Sequence, residues 1–238
     1  MTFAVKLAMF FLFIRKGIAM QTYTKMIRAY TGIEEVWHAS IHGLGILLSI
    51  AALAILVAMS AVYSNVWAVV SSAIFGASLI LMYSMSTIYH SVQNPNAKRI
   101  LKKCDHIAIY YLIAGSYTPF LLVLMRGTFG WTLFGVIWGL AILGTILKIA
   151  LPSNGTKLWS IGLYLGMGWM VVLASKTLFS VLSEKGLAFL VLGGLFYTLG
   201  IAFYVWKSKP FTHAIWHFFV LMGSVMHFFA VLYGCILI

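Results

Sequence analysis

The chain has 238 residues, 63% of them hydrophobic and only 8% charged, with a formal net charge of +12. A water-soluble domain carries roughly 25% charged residues, so this chain lacks the polar side chains to cover itself in water, and a soluble globular enzyme is excluded. The basic excess would suit nucleic acid, but the placement of the lysines and arginines given below excludes that partner. The two cysteines, Cys104 and Cys235, are too few and too far apart for a disulfide framework or a thiolate metal site.

In chain order, the first apolar run is Leu7–Ile14, preceded by Lys6 and broken by Arg15-Lys16. It is too short to span a bilayer, and no A-x-A cleavage site follows, so it reads as an interfacial amphipathic segment. Residues 1–32 are expected to be a cytoplasmic or interfacial segment, and residues 33–238 a membrane domain. Seven stretches in that domain reach the ~20 residues a crossing needs: Ser40–Val62, Val66–His90, Ile107–Met125, Trp131–Ala150, Leu158–Ser180, Leu187–Trp206 and His213–Ile238. Small residues recur inside them, among them Gly162, Gly166, Gly168 and Gly193-Gly194, as close helix packing in lipid requires. Asn94-Pro95-Asn96 and Pro152-Ser153-Asn154-Gly155 mark turns. Pro119 is expected to kink the third span. The fold class is all-α, a seven-helix transmembrane bundle.

Thirteen of the sixteen lysines and arginines fall on one side of these spans; Arg126, Lys176 and Lys185 fall on the other. Positive charge stays in the cytoplasm, so the N-terminus is expected inside and the C-terminus outside a cytoplasmic (inner) membrane. The partners this implies are membrane lipids, not nucleic acid. Reporters fused at Ile238 test the orientation. An enzyme active only outside the cytoplasm should give signal, and signal from a cytoplasm-active reporter would overturn the seven-span count.

Ionisable groups within spans are costly and point to function. His90 ends the second span, Asp105 begins the third, and His213 and His217 open the seventh. With this topology all four lie at the cytoplasmic side. His213 and His217 are one helical turn apart on one face, a spacing that suits chelation of one ion, and His90 would add a third imidazole. Three nitrogens with an open fourth position is the pattern of a catalytic zinc site. Imidazole without thiolate also admits copper, iron or nickel. Asp105 has two readings. It is either an N-cap for the third helix, paired with Lys102 or Lys103, or a general base acting on water held by the ion. Ser86 lies one turn before His90 and either bonds back to its own helix or assists at the site. His38 and His42 form a second i, i+4 pair, which could also donate ligands, beside Glu34-Glu35, whose carboxylates read best as first-turn partners of the helix dipole. His227, ten residues past His217, is about 15 Å deeper and is expected to make a helix–helix hydrogen bond.

Ser86-Thr87-Ile88-Tyr89-His90-Ser91, Asp105-His106, Ala114-Gly115-Ser116-Tyr117-Thr118-Pro119 and His213-Ala214-Ile215-Trp216-His217, followed by His227-Phe228-Phe229, resemble the haemolysin III family of the progestin and adipoQ receptor superfamily. The resemblance runs from about residue 33 to residue 236. Glu34-Glu35 and His42-Gly43 match the family's opening motif, which usually carries Asn where this chain has His38. The resemblance implies seven helices and a zinc ion held by His90, His213 and His217, with Asp105 and Ser86 beside it. It also implies kinship with alkaline ceramidases, which cleave lipid amides. Two functions compete. One is a zinc hydrolase of a lipid amide or ester. The other is a non-catalytic protein, either a lipid-sensing or homeostasis receptor or a pore-former. No span carries a polar stripe from face to face, which counts against a pore.

Overall fold

The computed structural model describes residues 30–151, 156–206 and 208–238. The expected interfacial segment Leu7–Ile14 lies outside them. Among the described residues the structure is helical throughout, and seven helices are long and apolar enough to cross a membrane.

The helices are α1 (Gly32–Tyr63), α2 (Val66–Ser91), α3 (Pro95–Pro119), α4 (Thr128–Ala150), α5 (Thr156–Trp169), α6 (Ser175–Val181), α7 (Glu184–Val205) and α8 (Thr212–Val231). A 3₁₀ segment, Met170–Ala174, joins α5 and α6 into the fifth span, Trp159–Val181. Helix starts follow local chemistry. Thr31 and Glu34 form a reciprocal capping box at α1. Asn65 caps α2, Asn94 caps α3 with Pro95 in its first turn, and Ser183 caps α7.

Two spans are longer than expected. The first begins at Gly32 instead of Ser40, and the third at Pro95 instead of Ile107. Hydropathy marks only the part of a helix that sits in hydrocarbon, whereas the caps set where the helix begins. α1 is 32 residues long, about 48 Å at 1.5 Å per residue. That exceeds the ~30 Å hydrocarbon core, so its polar first turns project past the apolar layer. The helix of the third span ends at Pro119, as expected for a residue that removes a ladder bond, and passes into a π-helical turn at Phe120–Leu124. The 3₁₀ break in the fifth span has its own compensation. The Tyr117 hydroxyl donates to the Gly168 carbonyl at 2.7 Å and accepts from the Val171 N–H at 2.8 Å, so backbone groups off the α-helical pattern are paired inside the protein.

The bundle is apolar outside and partly polar within. Leu44, Leu47, Leu173 and Phe179 are exposed, while Ser60, Ser72, His42 and His217 are buried. Lipid is the solvent for the outer faces, and polar groups find partners across helices, as Ser60 and Ser72 do at 3.0 Å. Close approach is built on glycine. A Cβ at Gly45 would stand 2.5 Å from the Tyr83 ring. Tyr83 is held on the other side by a 2.7 Å hydrogen bond to Ser224 and has no room to retreat. Gly45→Ala should therefore destabilise the protein by about 1–3 kcal/mol, the usual cost of overpacking, read as a lower melting temperature in detergent. α1 packs on α2, α2 on α3 and α7 on α8, and α1 also meets α8. The start of α1, the end of α2 and the start of α8 therefore share one end of the bundle.

Candidate metal centre

At that end five buried or part-buried imidazoles come together: His38 and His42 from α1, His90 from α2, and His213 and His217 from α8. One donor nitrogen from each of His38, His90 and His213 lies within 4.8 Å of the other two. Two nitrogens on one tetrahedral zinc are roughly 3.3 Å apart, so small side-chain rotations would close the set. His217 adjoins it, with its Nε2 3.0 Å from His213 Nε2. Tyr30 covers the group, stacked on His213 with centroids 4.9 Å apart and edge-on to His38 at 4.8 Å. His42 stacks on His217 at 3.7 Å and meets Tyr83 edge-on at 5.0 Å.

The surroundings set the tautomers. His217 Nδ1 faces the His38 carbonyl at 3.3 Å. A carbonyl only accepts, so Nδ1 carries the proton and Nε2 is bare. His90 Nδ1 meets Glu35 Oε2. It donates to that carboxylate, which leaves Nε2 bare, buried and without a hydrogen-bond partner. His38 Nε2 is equally buried and unpartnered. Bare nitrogens gathered away from water carry a desolvation cost that a cation would remove, so the residues present fit a divalent metal ion.

Two carboxylates from the first turn of α1 organise this end; sequence reasoning assigned them to the helix dipole and to the family's opening motif, not to the imidazoles. Glu35 accepts from His90 through one oxygen and from Lys98 Nζ, at 2.7 Å, through the other. Its Oε2 also lies 3.6 Å from His38 Nδ1. This carboxylate–histidine pairing fixes ring orientation at metal sites. Glu34 is 2% exposed and accepts from the Phe211 N–H at 2.9 Å. Phe211 precedes α8 and has φ of 60°, a conformation uncommon outside glycine. Glu34 thus ties α1 to the turn that aims His213 and His217. The readable signal was two adjacent acids in a chain with only four. Glu35→Gln should lower metal affinity about 10–100-fold, as loss of an outer partner does, measured by chelator competition on the folded protein. Unchanged affinity would show that Glu35 does not position His90.

Asp105 does not cap a helix. α3 begins ten residues earlier, at Pro95, so Asp105 is interior and buried. Lys102 and Lys148 are its charged neighbours, but among the described residues no lysine is within 4.0 Å of its carboxylate. Ser86 lies beside it, and the Ser86 hydroxyl makes no hydrogen bond within 3.5 Å. Asp105 borders an apolar cavity of about 420 Å³ that extends between α3, the fifth span, α7 and α8. Trp216 and Tyr204 form part of its wall and contact His213 from the other side, at 4.8 and 6.2 Å between centroids. The cavity therefore comes within one ring of the imidazole cluster. His227 also borders it. His227 does not make the expected helix–helix hydrogen bond, since neither ring nitrogen has a partner within 3.5 Å; it meets α7 by packing instead, with a Cβ at Gly193 falling 2.1 Å from its ring and Tyr197 edge-on at 5.2 Å.

The sequence model of the family described as Haemolysin-III related matches residues 30–228. The chain belongs to this family. It is 47% identical over 207 residues to "Hemolysin-3 homolog" of Bacillus subtilis (strain 168), covering 87% of this chain and 97% of that one. It is 44% identical over 200 residues to "Hemolysin-3" of Bacillus cereus, covering 84% and 91%. It is 32% identical over 173 residues to human "Monocyte to macrophage differentiation factor", covering 69% and 70%. That kinship extends to the wider progestin and adipoQ receptor superfamily. All of the candidate metal ligands lie within the matched residues.

Proposed function

We propose that this haemolysin III-family protein is a zinc-dependent hydrolase of a lipid amide or ester in the cytoplasmic leaflet of the cell membrane. The observation that carries the reading is the position of Asp105. It is a buried carboxylate beside the Ser86 hydroxyl, on the wall of a lipid-sized apolar cavity whose Trp216 and Tyr204 reach the imidazole cluster.

His90 and His213 hold the ion, with His38 or His217 completing the set. Bound zinc supplies Lewis acidity at a carbonyl and brings the pKa of water to about 7. Glu35 keeps His90 in the tautomer that turns Nε2 inward. The cavity holds an acyl chain and excludes bulk water, so that hydrolysis is confined to water admitted at the polar end. Asp105 accepts the proton of the attacking water at a carboxylate oxygen and returns it to the leaving group. Ser86 donates its hydroxyl hydrogen to the developing oxyanion. Lipid profiling of nanodiscs before and after adding zinc-loaded protein tests this. One lipid class should decline with release of its fatty acid, and an unchanged profile would overturn catalysis.

One observation favours a second reading. Asp105 borders the cavity, but none of the five clustered imidazoles does. An ion there would then act as a clamp on α1, α2 and α8, and the cavity would serve a lipid-sensing protein of membrane homeostasis. The "Hemolysin-3" name of the Bacillus cereus relative would instead suit a pore.

A further inference from the structure

Lys148 lies in the last turn of α4, where a lysine ordinarily extends its ammonium into the headgroup layer. Here it is only 9% exposed, and its Nζ contacts Ser160 Oγ of α5 at 3.2 Å. A hydroxyl is a neutral partner and leaves the ammonium charge uncompensated. The charged groups around it are Lys102, Lys103 and Asp105, all from α3. No carboxylate comes within 4.0 Å of it among the described residues. The chain has only four acidic residues. Glu34 and Glu35 are engaged at the imidazole cluster, and Glu184 is in the first turn of α7. Asp105 is left as one carboxylate among three lysines. A buried charge persists when it is paired, so this end of the bundle lacks an anion.

The place of the deficit indicates which anion. Asp105 borders the apolar cavity, as do Ile161 and Tyr164, the residue after Ser160 and the one a turn beyond it. The lysines do not line the cavity themselves, but as charged neighbours of Asp105 and of one another they stand beside the polar end of a space that suits an acyl chain. On the charge asymmetry of the loops this end faces the cytoplasm, where anionic lipid is found.

We propose that Lys148, with Lys102 and Lys103, binds the phosphate headgroup of an anionic lipid whose acyl chain occupies the cavity. The proposal rests on reading the cavity as a lipid site and does not require that any bond be cut. It narrows the lipid class from any amide or ester to one with net negative charge. Lys148 supplies the buried contact, and Lys102 and Lys103 add attraction from the surface, about fivefold in affinity for each lysine near the headgroup. Ser160 orients the Lys148 ammonium. Asp105, the carboxylate among these lysines, keeps net charge from accumulating.

The test is lipid retention by the full-length protein in neutral detergent, read by native mass spectrometry after equilibration with equimolar dioleoyl phosphatidylglycerol and dioleoyl phosphatidylcholine. Metal is removed with a chelator, so retention is read without turnover and independently of hydrolysis. The native protein should retain phosphatidylglycerol at least about fivefold over phosphatidylcholine. Lys148→Met should abolish that preference and Lys148→Arg should keep it. Lys102→Gln with Lys103→Gln, which leaves the interior intact, should weaken it and decides the matter if Lys148→Met does not fold. Lys209→Met, on an exposed turn elsewhere, should change nothing. Equal retention of the two lipids by the native protein would overturn the proposal, whatever the protein hydrolyses. So would a preference that survives the lysine substitutions. Displacement of phosphatidylglycerol by excess inorganic phosphate would mean that the site takes a soluble anion, and would overturn the lipid assignment.

Discussion

His213→Ala should leave the purified protein with only trace metal, while the native chain carries about one zinc, as a single cluster of this kind binds. His213 shares the 4.8 Å group with His38 and His90 and lies 3.0 Å from His217. Its removal breaks both proposed ligand sets, that with His38 and that with His217. The loss of affinity should exceed the roughly 10–100-fold that an outer partner contributes. His90→Ala should behave alike. Two further variants separate the remaining candidates. The sequence pattern places His217 in the shell, and the convergence of donors places His38 there, where the family motif usually has Asn. His38→Asn and His217→Ala, compared by elemental analysis and by the absorption spectrum of the cobalt-substituted protein, show which nitrogen coordinates. His227→Ala should keep its metal, because His227 packs against Gly193 and Tyr197 on α7, away from the cluster. Loss of metal from that variant equal to the loss from His213→Ala would sink the assignment of the site to this end of the bundle.

Asp105→Asn should leave the protein folded and zinc-loaded and lower lipid turnover by roughly 10²–10⁴-fold, the range for losing a positioned acid–base group. Asparagine has the same shape and still fits the buried position in α3, but it cannot accept the proton. The helix start at Pro95 makes this comparison clean. Asp105 caps nothing, so no capping effect is mixed into the result. Turnover at the native rate would remove Asp105 from the chemistry. Loss of zinc would make its carboxylate a ligand, and the imidazole set would be incomplete without it.

The seven spans could be read from residues alone. Each depends on one segment and its solvent, about twenty apolar residues in lipid. The convergence of His90, His213 and His217 was also readable, because alternating span direction sends the end of α2 and the start of α8 to the same face. Hydropathy could not see that α1 and α3 begin eight and twelve residues before their apolar runs, since those turns stand in the polar layer and carry no apolar signal. That error is what made Asp105 look like a cap. Nor could the sequence place His38 among the donors, give Glu35 to His90 across 55 positions, or give Glu34 to Phe211 across 177. Those pairings depend on how each helix is rotated about its own axis. That rotation is set by where small residues such as Gly45 let a neighbour's ring approach, a property of two surfaces in contact that neither strand of sequence holds by itself.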